Sequence, residues 1–422
     1  MTKERKKTMP ISKIAVIGFG VVGSGAVELF YKNKELIEKR SGRKMDIKWI
    51  CDLRDFPGSP FADKFTKNFD DILNDPEITV AAEMIGGKTL AYDYTKKLLS
   101  RGVSVVTSNK ELVAYHGAEL IRLAKENKCN YFFEASVGGG IPIIRPLHQC
   151  LAANRIERIS GILNGTTNFI LTKMIYDHVA FDEALAEAQR LGYAESDPSA
   201  DIDGADACRK LCILGSLAFG KHIYPEYVHC SGIRQITLDD VEYAETAGYA
   251  VKLIGLIDRT EKGLVATVCP RLVSVNNPLS GVNDVYNAIM VRGDGVGDTL
   301  FYGRGAGKEA TASAVVADII DAVKHENADI ASLTWEDSTD RDFIAPYKSA
   351  DVRVYVRVKC NDADSLKGLI TQFFGYVDFI PRKQRSQNEL AFITPLIEEY
   401  QINKKLALLS EHADIMKRIR LL

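Results

Sequence analysis

Residues 13–17, KIAVI, run straight into Gly18-Phe19-Gly20-Val21-Val22-Gly23 and then into the helical stretch SGAVELFYKNKELIEKR. A short apolar strand, a glycine-rich turn and a helix in that order leave few folds open. Gly18 makes the tight turn, Gly20 lets backbone approach a pyrophosphate, and Gly23 lets the helix sit close on the strand. The helix start presents free N–H groups and the positive end of its dipole to phosphate. Phe19, Val21 and Val22 fill the turn between the glycines, so residues 18–23 as a whole are the predicted dinucleotide cradle.

The same rhythm continues to about residue 150. DIKWICD reads as a strand ending at Asp52, with Arg54 two places on. An acid there would hold a ribose 2′-OH and favour NAD, whereas Arg54 would pair with a 2′-phosphate and favour NADP, so the two cues conflict. TVAAEMIGG reads as a strand ending in glycines, VSVVTSNK as a strand ending in a polar turn and YFFEASVGGGIP as a strand running into another glycine-rich turn, with LAYDYTKKLLSRG and ELIRLAKENK as helices between them. Alternation of this kind predicts a Rossmann-type, doubly wound parallel sheet with ligands at the carboxyl ends of its strands. Gly86, Thr107, Lys110 and the run from Glu134 to Ile141 all fall at such ends.

Charge and composition narrow the partners. Among 422 residues, 54 Lys and Arg against 56 Asp and Glu give a net charge of −2, which offers nothing to nucleic acid or an anionic membrane. No apolar run approaches membrane-spanning length. The basic start MTKERKKTMP lacks the apolar segment of a signal peptide and reads as a loose tail. Eight scattered cysteines without a CxxC pair suit reduced thiols in a cytoplasmic protein rather than a disulfide framework or a zinc site.

From about residue 142 the pattern changes. PIIRPLHQCLAANR reads as a helix, RIERISGIL as a strand, and NGTTN at 164–168 as a polar turn in which Thr167 or Asn168 caps the helix FILTKMIYDH. The amphipathic helix FDEALAEAQRLG ends at Gly192. It delivers the chain to LGYAESDPSADIDGADACRKLCIL, which carries Glu195, Asp197, Asp201, Asp203, Asp206 and Lys210. Apolar spacing predicts a helix from Gly204 onward, so Asp206 and Lys210 leave one face a turn apart. The Asp197-Pro198 loop can hold Glu195 and Asp201 near that face. A lysine among carboxylates suits a site that binds an amino acid and moves a proton.

GYAVKLIGLID and GLVATVCPRLV read as paired antiparallel strands, and residues 298–326 as a strand, a glycine turn and a helix that return to the first domain. Gly305, with Gly303 and Gly307, would then lie near the cofactor. After a polar separator, VRVYVRVKC alternates like a strand buried on one face. ADSLKGLITQFFG follows as a helix, YVDFIPRK and LAFITPL as strands, and KKLALLSEHADIMKRI as a closing helix, a βαββα order.

Taken together these runs resemble homoserine dehydrogenase over nearly the whole chain. The 191–214 run is similar to that family's signature, and GFGVVG, SNK at 108–110, EASVGGGIP, NGTTN and GRGAGxxxTAxAVxxDI at 303–319 match in order. The resemblance implies NAD(P)-dependent interconversion of L-homoserine and L-aspartate 4-semialdehyde, in the biosynthesis of threonine, methionine and isoleucine. It implies Lys210 as acid/base, Asp206 as its orienter, Glu195 as the holder of the amino group and Lys110 at the junction of cofactor and substrate. A structural monovalent cation, typically sodium, would be held by Glu134 and the carbonyls of Val137, Gly139 and Ile141. The implied organisation is a dinucleotide domain at 1–150 completed by about 298–330, a substrate and dimerisation domain at 151–297, and an ACT-like regulatory domain at 345–422. An effector such as threonine and a homodimer or homotetramer would go with it, the strands GYAVKLIGLID and GLVATVCPRLV being candidates for the subunit interface. At CNDADSLKG the chain departs from the D-x-P-G-like turn expected to shape an effector site. A fused kinase ahead of Gly18 is not expected.

Two other readings compete. Another Rossmann-type dehydrogenase, such as one acting on aspartate semialdehyde, needs a nucleophilic cysteine beside a base, and no cysteine here stands in a convincing turn with a histidine beside it. A non-catalytic NAD(P)-binding sensor would not need both Asp206 and Lys210.

Overall fold

Strand β1 (Ser12–Ile17) is the centre of a six-stranded parallel sheet, because Ile14, Ala15 and Val16 are apolar on both faces and fully buried. In a computed structural model of the chain, residues 11–326, 333–338, 340–359, 361–381 and 388–422 are described. The basic start, part of the polar separator and Cys360 lie outside them. After β1 come helices α1 (Val21–Lys32) and α2 (Lys34–Ser41), then β2 (Met45–Cys51), β3 (Phe65–Thr66), α3 (Asp70–Leu73) and β4 (Ile78–Glu83). Helix α4 (Thr89–Ser100), β5 (Ser104–Thr107), α5 (Lys110–Glu126) and β6 (Tyr131–Phe132) complete the alternation. The order β3-β2-β1-β4-β5-β6 reverses between β1 and β4, which is where a doubly wound sheet opens its ligand crevice.

Beyond β6 the chain runs into a glycine-rich turn as expected, but the strand part of YFFEASVGGGIP is only two residues long, because Glu134–Ser136 turns as a 3-10 helix and Gly138 and Gly139 take φ of +72° and +56°. The helix from Pro142 is a wide π turn at Pro146–Cys150, closed by Leu151 N–H donating to Pro146 O at 2.9 Å. Pro146 has no N–H to offer a regular helical ladder.

The next stretch holds β7 (Ile156–Ile162), α6 (Gly165–Tyr176), α7 (Phe181–Arg190), α8 (Ser199–Ile202) and α9 (Ala205–Phe219). Strand β8 (His229–Cys230) and α10 (Leu238–Thr246) lead to the long pair β9 (Tyr249–Thr260) and β10 (Gly263–Ser274), then β11 (Tyr286–Gly293) and β12 (Gly297–Arg304). β9 and β10 pair antiparallel as expected, Gly263 opposite Thr260.

Inside this region Lys252 on β9 is fully buried and donates to Val282 O at 2.6 Å and Asn283 Oδ1 at 3.0 Å. Burial pushes its ammonium down to about 8. The folded chain therefore binds fewer protons than the unfolded chain between about pH 8 and the ordinary lysine value near 10.5, and stability rises with pH across that window. Urea unfolding at two pH values about two units apart spanning this window should show a gain of about 2 kcal/mol that Lys252→Met lacks. Equal pH slopes in the two proteins would refute this.

Helix α11 (Lys308–Lys324) then returns to the first sheet, as expected, and lies on α1. A Cβ at Gly25 would sit 3.3 Å from Ala312 Cβ and 2.8 Å from Lys308 Cγ, so only glycine permits that approach. The last portion contains β13 (Asp351–Val352), β14 (Val354–Lys359), α12 (Ala363–Phe374), β15 (Asp378–Phe379), β16 (Glu389–Ile393), β17 (Ile397–Glu398), α13 (Glu399–Leu409) and β18 (Asp414–Leu421). The expected closing helix is thus half wrong: it stops at Leu409 and a strand follows. Arg418 and Arg420, two apart, both reach Glu399 at 2.7 and 2.6 Å, a strand spacing that their charges hide in the sequence.

β14 is buried on both faces rather than one. Val354, Val356 and Val358 meet α12 and α13, while Tyr355 and Arg357 face α10. Strand β18 pairs with β14 and, through Arg271–Arg420 and Leu272–Leu421, with β10. These strands therefore join one sheet in the order β12-β11-β7-β9-β10-β18-β14-β16-β15. The chain divides into two compact units: the part up to Ala153 with Cys212–Pro225 and Gly303–Ser338, and Asn154–Leu211 with Glu226–Tyr302 and Thr339–Leu422.

Candidate functional site

In the first unit the glycine turn closes as its spacing requires. Gly18 has φ +94°, and a Cβ there would fall 2.7 Å from Met84 O. A Cβ on Gly23 would fall 1.9 Å from Gly18 O, so the third glycine is needed to fold the turn onto itself. Around Gly20 the space is open, and a Cβ there would find its nearest neighbour, Arg54 Nη2, only at 4.0 Å. Gly20 caps α1 without a side-chain acceptor for the first-turn N–H groups, which leaves them suited to phosphate.

Asp52 is committed elsewhere. Its carboxylate accepts Phe19 N–H at 2.7 Å and a fork from Arg54 Nε and Nη2 at 2.9 Å each. The Arg54 guanidinium holds Asp52 well below the usual carboxylate range. Arg54 itself is mostly exposed and lies over the Phe56 ring, 5.3 Å from its centroid. The acid thus fixes the glycine turn and the arginine, and the arginine faces outward.

At the ends of β4 and β5 a buried carboxylate that sequence reasoning missed, Glu83, ties two loops together. It accepts Thr107 Oγ1–H at 2.6 Å and Ile85 N–H at 2.7 Å, and burial raises its pKa. Thr107 is therefore spent on this network, while Gly86 lies exposed in the left-handed region beside it. Asn109 caps α5, accepting Leu112 N–H, and Lys110 is the first residue of that helix. The signal was present: a single acid inside the apolar run TVAAEM.

Glu134 is also buried, and its carboxylate accepts N–H groups from Ile143, Ile144 and Arg145 at 2.6, 2.7 and 3.0 Å. Among the described residues no N–H donates to the carbonyl oxygens of Val137, Gly139 or Ile141. Gly139 packs against Gly305, where a Cβ would come within 2.6 Å of its carbonyl group. A carboxylate and undonated carbonyl oxygens are the donor types that suit a hard cation.

In the second unit the signature run sorts its carboxylates. Asp197 accepts Ser199 N–H at 3.1 Å as a turn cap, and Asp203 pairs with Arg234. Glu195 is exposed, and among the described residues only its main-chain carbonyl is bonded, from Gln189 Nε2 at 3.1 Å. Asp201, Asp206 and Lys210 come together. Lys210 Nζ donates to Asp206 Oδ2 at 2.7 Å and to Leu163 O at 2.8 Å, and both side chains are about nine-tenths buried or more. Helix α9 supplies the pair at i,i+4 as predicted, and Gly204, with φ +89°, starts it where a Cβ would meet Cys230 Sγ at 3.0 Å.

The polar turn at 164–168 differs from expectation. Asn164, rather than Thr167 or Asn168, caps α6, its Oδ1 accepting Thr167 N–H at 2.9 Å. Thr167 and Asn168 fall inside the helix because Gly165 already takes helical form. Asn164 Nδ2 then donates to Asp201 Oδ1 at 2.7 Å and Asp206 Oδ2 at 2.8 Å. The Asn-Gly turn signal concealed this residue's place in the carboxylate cluster.

Similarity to known proteins agrees with this arrangement. Residues 18–134 match the family model for the NAD binding domain of homoserine dehydrogenase, and residues 142–320 match the homoserine dehydrogenase model. The chain is 38% identical to a homoserine dehydrogenase of Pseudomonas aeruginosa across 94% of this chain and 95% of that protein. It is 42% identical to the Lactococcus lactis enzyme across 74% of each. The solved homoserine dehydrogenase from Thiobacillus denitrificans superposes with a TM-score of 0.89 at 36% identity, covering 98% of this chain and 99% of that one. A hyperthermophilic archaeal homoserine dehydrogenase mutant in complex with NADPH superposes with a TM-score of 0.64 at 31% identity, over 74% of this chain and 98% of that one. With a dinucleotide turn in one unit and a buried lysine–carboxylate pair in the other, the chain belongs to the homoserine dehydrogenase family.

Proposed function

We propose that the chain interconverts L-homoserine and L-aspartate 4-semialdehyde with Lys210 as the proton carrier and with a preference for NADP. The observation that carries this reading is the buried Lys210 Nζ, held by Asp206 and Leu163 O. The bound nicotinamide supplies or accepts the hydride. As the aldehyde is reduced its oxygen gathers negative charge, and Lys210 stabilises that charge and donates the proton. In the oxidation direction the same amine takes the hydroxyl proton. Asp206 keeps Nζ on one bearing, and the exposed Glu195 carboxylate is available to the substrate's ammonium group. Asp201 contributes to the substrate pocket through the cluster it shares with Asn164.

NADP is favoured because Asp52 is occupied by Phe19 N–H and Arg54, while Arg54 keeps an outward guanidinium edge for a 2′-phosphate. Arg54→Ala should raise KM for NADP about tenfold to a hundredfold and leave KM for NAD within a few-fold. An unchanged ratio between the cofactors would remove Arg54 from the recognition.

Glu134 with the carbonyls of Val137, Gly139 and Ile141 would hold the monovalent cation, sodium by donor hardness. Residues 1–150, with about 298–330, would serve the dinucleotide, 151–297 the substrate and subunit contacts, and 345–422 an ACT-like regulatory role. β9 and β10 are interior strands of their sheet, so a homodimer or homotetramer would use their face rather than an edge. The seven described cysteines are free thiols, in keeping with a cytoplasmic enzyme. Homoserine oxidation, followed by absorbance of the reduced nicotinamide with each cofactor, tests the activity. Cofactor binding without turnover would favour the amino-acid sensor instead.

A further inference from the structure

We propose that Asn164 is a positioning residue for the reaction, whose amide joins Asp201 to the Asp206–Lys210 pair and so sets the lysine's bearing. The inference rests on Lys210 being the proton carrier, and its source is one stretch of main chain. Leu163 gives its carbonyl to Lys210 Nζ at 2.8 Å, and the next residue gives its amide to Asp206 at 2.8 Å. Both members of the pair are therefore referenced to the end of β7.

The direction of the amide is determined by its other end. Asn164 Oδ1 accepts from Thr167 N–H at 2.9 Å and Thr167 Oγ1 at 3.0 Å, so Nδ2 has to face the carboxylates, where both its hydrogens are used. Asn164 is 4% exposed, so water does not replace these bonds.

Capping alone would not require asparagine. Aspartate and serine cap helices about as well, because only the acceptor matters there. The need for an amide comes from its donor side, which neutral NH2 alone provides to two anions at once. An aspartate at 164 would put a third carboxylate within hydrogen-bond distance of Asp201 and Asp206. Like charges at that separation force at least one of them to take up a proton. The charged groups around the cluster are Asp201 on α8, Asp206 and Lys210 on α9, the Asp203–Arg234 pair after α8, and Lys252 on β9 beyond Asn168. Tyr193, whose carbonyl accepts Thr166 Oγ1–H, borders it from the loop. Lys210 is bonded directly to Asp206, so a proton gained in the cluster weakens its anchor.

The test compares Asn164→Asp, Asn164→Ser and Lys210→Ala in the full-length enzyme, reading kcat, KM for homoserine, KM for the cofactor and the pH profile of kcat. Asn164→Asp should fold, lower kcat at neutral pH at least tenfold, move the acid limb of the profile upward by about one unit or more, and leave KM for the cofactor unchanged. Asn164→Ser, which keeps the cap, should lower kcat without moving that limb. If Asn164→Asp and Asn164→Ser both keep the wild-type kcat and profile while Lys210→Ala is inactive, Asn164 is a helix cap only and the proposal is wrong. If Lys210→Ala keeps its rate, the reading beneath the proposal fails and the proposal falls with it. Should Asn164→Asp not fold, Asn164→Ser decides: wild-type kcat there rejects the positioning role.

Discussion

Lys210→Ala is expected to lower kcat for homoserine oxidation by about a hundredfold or more, the usual scale for a group that carries a proton in the transition state. On the proposed role, in which the amine serves the substrate oxygen rather than the nucleotide, the loss should fall on kcat with both cofactors. Removing the ammonium also leaves Asp206, which is 3% exposed, without its cation, so the variant's thermal stability has to be measured beside its rate. Added small alkylamines give a sharper reading than the loss itself: partial recovery of kcat in Lys210→Ala, rising with the fraction of free base, identifies the missing function as proton transfer. Lys210→Arg should restore the charge but not the rate, because a guanidinium stays protonated throughout the working range. A near-normal rate in Lys210→Ala would take Lys210 out of the chemistry and direct attention to Lys110.

The largest stability effect is expected at Arg357→Met. The Arg357 side chain is 4% exposed and lies 2.7 Å from Asp239, 3.2 Å from Asp240 and 3.1 Å from Glu389. Asp240 and Glu389 are themselves almost wholly buried, so loss of the guanidinium takes an ion-pair partner from two carboxylates in a poorly solvated place, with Lys417 Nζ standing 3.9 Å from Asp240. Breaking such a cluster from one side costs about 3–5 kcal/mol, whereas replacing every member by apolar groups can cost little. The melting transition of the unit containing β14 should drop by roughly 10 °C. Asp240→Asn or Glu389→Gln added to Arg357→Met should recover part of the loss, and strictly additive effects would show that the charges are not coupled. The same cluster links β14 to α10, so the last portion of the chain is fastened to α10 by charge as well as to β10 by strand pairing.

The sheet around the dinucleotide is legible in the sequence because its signals are local: apolar strands, glycine punctuation and helix periodicity each occupy a short window. The Asp206–Lys210 spacing is legible for the same reason. Asn164 reads as a turn, since nothing in the sequence near it shows that Asp201 and Asp206 lie on its donor side. Glu83 escapes notice although it is a lone acid in an apolar strand, a pattern that marks a satisfied buried carboxylate. The strand at 414–421 resembles helix because Arg418 and Arg420 alternate toward a partner, Glu399, that the sequence places at the other end of α13. Asp52 and Arg54 read as rival cofactor cues, yet they bond to one another, a relation that composition at two positions cannot reveal.

The place of β18 between β10 and β14 bears on how the protein is made. Of all the strands in that sheet it is synthesised last, long after β10. The ribosome needs on the order of ten seconds to cover the interval, during which the β10 edge waits without that neighbour. A nascent chain in this condition depends on shielding, and one released before residue 414 would be a candidate for clumping rather than a shorter working enzyme.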